Sequence, residues 1–344
     1  MMHRDGLFGA IAAALVMSLA AGARADGPKK PRHKPTRIAL IGDMPYRDTD
    51  IVKLDEVLRE INESRVDFTL HTGDIKSGST LCADELLQTR FDQLAQLERP
   101  LVYTPGDNEW TDCHREAAGG YDPLERLATL RKLFFPQPGR TLGKQPIEVQ
   151  TQAADPAHAA VVENVRFVRD DVVFATVHVV GSNNGMALWN GIGESETAPR
   201  PERLAEVQSR VLASLAWIDG TFDEAEKRGA AGVLIAMQAN PAFESEAGDP
   251  LRVGFEEIIT KLTERTLAFG RPVLVAHGDS HYQRFDKPLL GPTASDGPQR
   301  IEDFSRAENF GDLDVHWVEL VVDTHTPQVF NLVPHIVESN RFVR

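Results

Sequence analysis

Positive charge is scarce in this 344-residue chain: 37 Lys and Arg face 51 Asp and Glu, a formal net charge of −14. That balance argues against non-specific binding to nucleic acid or to an anionic membrane surface. No nucleic-acid motif, Gly-rich nucleotide cradle or internal repeat is present. Past the first 25 residues no apolar run approaches the 18 or so residues that a membrane helix needs. Cysteine is limited to Cys82 and Cys113. With 42% apolar and 26% charged residues, the composition excludes a disordered, collagen-like or coiled-coil chain. A chain of this length buries a large core, as one α/β domain or two small ones.

The first residues read differently. His3 and Arg4 precede an apolar stretch from Leu7 to Ala21, and Ala23-Arg24-Ala25 follows as a cleavage signal. This is the order of a secretory signal peptide over residues 1–25, against the alternative of an uncleaved anchor helix. Export to the periplasm or the medium follows, with no membrane span left after cleavage. Residues 26–36, rich in Lys and Pro, read as a flexible basic leader, and 37–344 as a single domain. In an oxidising compartment Cys82 and Cys113 form one disulfide; two buried free thiols are the alternative.

Apolar runs alternate with helical periodicities. Strands are predicted at 37–41, 66–71 and 101–103, with helical stripes at 51–61 and 86–94 between them, so the three strands run parallel. Leu124, Leu127, Leu130 and Leu133 mark a helix, and 136–160 reads as a long surface loop. Strands at 165–168 and 172–180 turn at Asp170-Asp171, and a helix covers 201–218. Further strands are expected at 233–237, 273–276, 316–322 and 329–333, a helix between 251 and 267, and loop over 287–312. Parallel strands early and hairpins late predict an α/β fold of two facing mixed sheets with helices outside.

Four strands end in Gly-Asp clusters: Gly42-Asp43, Gly73-Asp74, Gly106-Asp107-Asn108-Glu109 and Gly278-Asp279-Ser280-His281. Ligands bind at the carboxyl ends of strands in open α/β sheets. A Gly before each acid is expected to let the backbone turn sharply. Converging carboxylates repel unless protons or cations intervene, and a divalent metal is the natural counter-charge.

This series resembles the calcineurin-like metallophosphoesterase superfamily, which includes the purple acid phosphatases. That family runs D-x-H, GD, GNH[DE], a single His, then GHxH. The resemblance spans roughly 37–335. It implies a four-layer α/β/β/α sandwich and a dinuclear metal site that hydrolyses phosphoesters. Matched motif by motif, Asp43 takes the place of a first-metal ligand, Asp74 of the bridging carboxylate, Asp107 of a second-metal ligand and His281 of the last imidazole ligand. Asn108 falls on the catalytic His; a one-residue slip would make it the metal ligand instead. Pro45 replaces the His of D-x-H, with Tyr46 next along, and Asp279 replaces the first His of GHxH. The separate metal-binding His is missing, and Gln238 is its nearest equivalent, Asn240 the second choice.

Imidazoles have thus become oxygen donors, a change that favours Mg²⁺, Mn²⁺ or Ca²⁺ over Zn²⁺ or Fe, as one or two ions. The leaving-group proton then needs another donor: His114, His277 or His71. The run Gly181-Ser182-Asn183-Asn184-Gly185 is either a phosphate-binding loop, through Asn183 and Asn184, or a plain turn. Glu109 reads as a loop-fixing carboxylate and Trp110 as pocket wall or core. The functional expectation is an exported phosphoesterase acting on a small mono- or diester. The alternative is a family member that keeps the fold and binds a ligand or partner without catalysis.

Overall fold

The computed structural model describes residues 34–291, 297 and 299–342. The expected signal peptide and most of the leader lie outside the described residues. From Pro35 onward the chain gathers into one compact unit.

Strand β1 (Thr36–Ile41) opens it, one residue inside the segment expected as leader. Helix α1 (Asp48–Glu63) carries Asp48 and Asp50 in its first turn, where they complement the helix dipole, and buries Leu54, Val57, Leu58 and Ile61. Strand β2 (Phe68–His71), helix α2 (Asp84–Leu94) and strand β3 (Leu101–Tyr103) follow. Helix α3 (Pro123–Phe134) starts where the Asp122 carboxylate accepts the Leu124 and Glu125 N–H groups, with Pro123 in the first turn. Strand β4 (Gln150–Thr151) is the regular piece of the segment expected as surface loop. Strands β5 (Val165–Arg169) and β6 (Val172–Thr176) form a hairpin whose turn, Asp170-Asp171, has both residues at positive φ.

Helix α4 (Pro201–Arg228) runs past the expected end at 218, because Thr221, Phe222 and Ala225 continue its buried stripe. Strand β7 (Gly232–Ala236), helix α5 (Glu256–Phe269) and strand β8 (Val273–His277) come next. The interval 287–312, expected as loop, contains a further strand. After β9 (Arg284–Asp286), β10 (Phe304–Glu308) pairs in parallel with β8. Its Arg306 and Glu308 are buried and paired, so β10 lacks the apolar run that marks its neighbours. Strands β11 (Trp317–Asp323) and β12 (Val329–His335) close the fold.

Two mixed sheets result. The five-stranded one has the order β12-β11-β1-β2-β3, the seven-stranded one β4-β5-β6-β7-β8-β10-β9. Strands β1, β2 and β3 are parallel, and so are β6, β7, β8 and β10. Antiparallel strands lie outside each parallel set. The seven-stranded sheet is apolar on both faces. Val172, Phe174, Leu234, Ala236, Leu274 and Ala276 join the core shared with the five-stranded sheet. Their alternates Val173, Ala175, Val233, Ile235, Val273 and Val275 pack with Trp217, Ile218 and Phe222 of α4 and Ile258 and Leu262 of α5. Each such buried side chain contributes about 1.5–3 kcal/mol. This is the four-layer α/β/β/α sandwich, and its parallel strands deliver their carboxyl ends to the loops described next.

Candidate active site

Asp43, Asp74, Asp107, Gly181, Gln238, Asp279 and Asn309 each follow shortly after a parallel strand, β1, β2, β3, β6, β7, β8 and β10 in turn. The backbone bends at the acids more than at the glycines before them. Asp43, Asp74 and Asp279 have φ of 56°, 57° and 79°, whereas of the four preceding glycines Gly73 alone lies at positive φ. Gly278 is needed for space instead, since a Cβ there would run into the Asp43 carboxylate. Ser182 and His281 are also left-handed, at 50° and 59°. Such strain clusters at functional sites.

On one side of the site lie Asp43, Tyr46, Asp74 and His281. Asp43 Oδ2 accepts from Asn309 Nδ2 at 2.8 Å, and Oδ1 accepts the Asp279 N–H at 2.9 Å. Thr72 Oγ1 in turn donates to Asn309 Oδ1. His281 Nε2 stands 3.6 Å from Asp43 Oδ1 and 3.3 Å from the Tyr46 hydroxyl. The Tyr46 hydroxyl donates to Asp74 Oδ2 at 2.7 Å, and Asn108 Nδ2 donates to the same oxygen at 2.7 Å. Behind them Glu109 Oε1 accepts the Asp74 and Gly106 N–H groups and the Tyr103 hydroxyl, clasping the β2 and β3 loops as a loop-fixing carboxylate would.

On the other side lie Asp107, Asp112, Ser182 and Asp279. Ser182 Oγ is 2.9 Å from Asp107 Oδ2 and 2.6 Å from Asp112 Oδ1, while Asp112 Oδ2 pairs with Arg115 at 2.6 Å. Asp279 Oδ2 accepts the Asn240 N–H at 3.0 Å. Lys76 is buried beside this side and donates to the Ser77 carbonyl.

The carboxyls carry the electrostatic strain of this gathering. Burial holds Asp43, Asp74 and Asp107 well above the usual carboxylate range; for Asp74 the charges of Asp107, Glu109, Asp43 and Asp279 add to it. Burial also raises Asp279 and lowers Lys76 to about 8. Positive charge is what such a cluster lacks.

The structure therefore brings Asp43, Asp74, Asp107, Asn108, Asp279 and His281 together. Gln238 sits beside them, but its Oε1 accepts the Gly181 N–H at 2.6 Å. The amide nitrogen is what it turns toward Asp279, without a well-formed hydrogen bond, so the expected oxygen ligand is turned away. His114 is directed elsewhere: its Nδ1 accepts the Gly191 N–H. His277 is fully buried with Nδ1 on the Gly278 carbonyl, and burial lowers it to about 3. His71 is likewise lowered to about 3 by burial, its Nδ1 accepting the Gly73 N–H. Both are therefore neutral imidazoles at pH 7, with no imidazolium proton to give.

Asn183 and Asn184 turn away too. Asn183 Oδ1 accepts the Gly254 N–H, and Asn184 bonds the Gly254 carbonyl and Arg210. Left-handed backbone through 182–184 points Ser182 at the acids and the two amides at 253–255. Trp110 is core, between His178 and Arg210. Cys82 and Cys113 are bonded, with Cα atoms 5.8 Å apart, and tie the start of α2 to the turn after Asp107. Lys76, Asp112 and Asn309 escaped sequence reasoning. Lys76 and Asp112 do lie within the motif runs, as Gly73-Asp74-Ile75-Lys76 and Asp107-Asn108-Glu109-Trp110-Thr111-Asp112.

The family model for calcineurin-like phosphoesterases matches residues 36–283, and the chain belongs to that family. The match takes in all four Gly-Asp clusters and stops short of β9, β10, β11 and β12. No curated protein matches the chain. Among solved structures, the purple acid phosphatase PPD1 from seeds of yellow lupin (Lupinus luteus) is similar at TM-score 0.45 and 10% identity. The alignment covers 88% of this chain and 53% of that one, so this chain spans about half its length.

Divalent metal is the cofactor type of this family. Among the described residues no three His, Cys, Asp or Glu side chains close tightly enough to form a ready-made metal cage. By charge and donor type, Asp43, Asp74 and His281 fit a hard cation: two buried carboxylates short of positive charge and an imidazole nitrogen, linked through the Tyr46 hydroxyl. The Asp107 side fits less well, because Gln238 withholds its oxygen.

Proposed function

We propose that this protein is an exported, metal-dependent phosphoesterase acting on a small phosphate mono- or diester. The observation that carries the reading is the meeting of Asp43, Tyr46, Asp74 and His281 at the carboxyl ends of β1, β2 and β8. Asp43, Asp74 and His281 are the residues that would hold a divalent ion, Mg²⁺ or Mn²⁺ on this oxygen-rich donor set. Such an ion, when bound, activates water and offsets charge developing on the phosphoryl oxygens. The chain's own part is to fix the carboxylates: Asn309 and the Asp279 N–H hold Asp43, while Tyr46 and Asn108 hold Asp74. Export is supported by the charged, apolar and Ala-x-Ala order of residues 3–25.

The test is hydrolysis of an aryl phosphate mono- and diester with Mn²⁺ or Mg²⁺ by the wild type and by Asp74→Asn. Turnover in the wild type that falls at least about 100-fold in the variant is expected. A second reading, a protein that binds without catalysis, is favoured by the turned Gln238 and the missing imidazoles. A wild type with bound metal and no turnover of either ester establishes that reading and overturns the first.

A further inference from the structure

The two sides of the site differ in kind. Around Asp43 the free valences are acceptors: the Asp43 and Asp74 carboxylates and the His281 ring nitrogen. Around Asp107 the groups turned inward are largely donors or cations. Lys76 is 1% exposed, and the charges around it are Glu109, Asp74, Asp112 and Asp107. Its one hydrogen bond is to the Ser77 carbonyl at 3.0 Å, and it makes no ion pair among the described residues. An ammonium has three N–H donors, so two are left without a protein partner among the described residues. Glu109 Oε2, buried and without a partner, is a further acceptor in this place. Gln238 shows the site its buried Nε2, turned toward Asp279, rather than its oxygen. Ser182 Oγ and the Arg115 guanidinium occupy Asp112.

We infer that the site is built for one divalent ion, held on the Asp43 side, with the Lys76 ammonium fixed in place of the positive charge a second ion would bring to Asp74 and Asp107. This rests on the hydrolase reading for the role of the ion but not for its number. A second dication among Asp74, Asp107 and Asp112 would face a buried ammonium and an amide whose oxygen is taken by the Gly181 N–H. Like charges at such range disfavour each other strongly where water is excluded. Lysine suits the place because its charge is a compact point on a flexible stem, able to act on several carboxylates without pairing with one of them.

The experiment is Mn²⁺ titration of the whole chain at pH 7 by calorimetry, with electron paramagnetic resonance on the same samples. The wild type is expected to take one Mn²⁺ per chain and give an isolated six-line signal. Lys76→Gln removes the charge and should admit a second Mn²⁺, bound at least 10-fold more tightly than in the wild type, with the signal broadening as the ions couple. Lys76→Arg, which keeps the charge, should stay at one, and it covers the case in which Lys76→Gln fails to fold. Two coupled ions in the wild type, no bound ion, or a folded Lys76→Gln that stays at one ion overturns the inference. Turnover with two ions would sink this inference and leave the hydrolase reading standing. One ion without turnover would do the reverse.

Discussion

The Tyr46 hydroxyl donates to Asp74 Oδ2 at 2.7 Å, in a segment where the family pattern has a metal-binding imidazole close by. It also accepts from Asn108 Nδ2 at 2.8 Å and stands 3.3 Å from His281 Nε2. Burial and the Asp74 charge push the phenol well above its usual pKa, so it remains a donor across the working range. Tyr46→Phe deletes a hydrogen bond to a charged group, worth about 1.5–3 kcal/mol. The expected result is a loss of about 10- to 100-fold in kcat/KM for an aryl phosphate, with the thermal midpoint lowered by a few degrees. Unaltered kinetics would show that Asp74 is held without it.

Gly181 lets two carboxylates approach one piece of backbone. A Cβ there would lie 2.6 Å from Asp107 Oδ2 and 2.9 Å from Asp279 Oδ1, closer than real contacts allow. In Gly181→Ala the two acids must separate, at a cost typical of overpacking, about 1–3 kcal/mol. Calorimetry should show weaker Mn²⁺ binding as Asp279 shifts, because its N–H holds Asp43 Oδ1. Retained affinity together with unchanged stability would mean that the loop after β6 yields freely.

Much of this was legible because the relevant signals are local. Apolar runs followed by Gly-Asp located β1, β2, β3 and β8 and the acids beyond them, and Asp43, Asp74, Asp107 and Asp279 do converge. Direction and burial were not legible. Asn183 and Asn184 have the chemistry of phosphate ligands, but three successive left-handed residues rotate them onto 253–255. Gln238 has the right position, yet the nearby Gly181 N–H claims its oxygen. Asn309, which orients Asp43, follows a strand whose buried Arg306 and Glu308 hide its core character. Lys76 reads as a loop charge until the fold closes over it.

On the ungapped motif match Asn108 would take the place of the family's catalytic imidazole, and its amide nitrogen is occupied by Asp74 and Tyr46. An amide donates a hydrogen bond but transfers no proton. Esters whose leaving group needs no protonation should therefore be turned over best. Across a series of substituted aryl and alkyl phosphates, kcat/KM should fall steeply as the leaving-group pKa rises, with alkyl esters slower by about 100-fold or more, the size of a general acid's contribution. A flat dependence would reveal a proton donor at the site.

The Cys82–Cys113 bridge closes a span of 31 residues, and both sulfurs lie 3.7 Å from the Asn108 carbonyl. On the chain-entropy account a loop of that size stabilises by about 3–4 kcal/mol. Urea unfolding with and without reductant should differ by that amount, and Cys82→Ser with Cys113→Ser should match the reduced protein. Identical midpoints would show that the pair contributes nothing to stability.

Glu163, fully buried, pairs with Arg131 and with His178 Nδ1, each at 2.6 Å. Burial alone would raise its carboxyl, but Arg131 and His178 outweigh that and hold it below the ordinary value of 4.5. Burial keeps His178 below its ordinary 6.5 despite the carboxylate. Both folded pKa values are depressed, so both contributions are complete above the unfolded values and are lost as pH falls. As His178 must stay neutral while the unfolded chain protonates, stability should begin to fall below about pH 6.5, and more steeply below about 4.5 as Glu163 resists its proton. Glu163→Gln leaves Arg131 without its partner carboxylate, at a cost of about 3–5 kcal/mol at pH 7. It should also remove the steeper portion below pH 4.5. Urea midpoints measured from pH 3 to 8 decide the matter: parallel curves for the two proteins would mean that Glu163 titrates alike folded and unfolded.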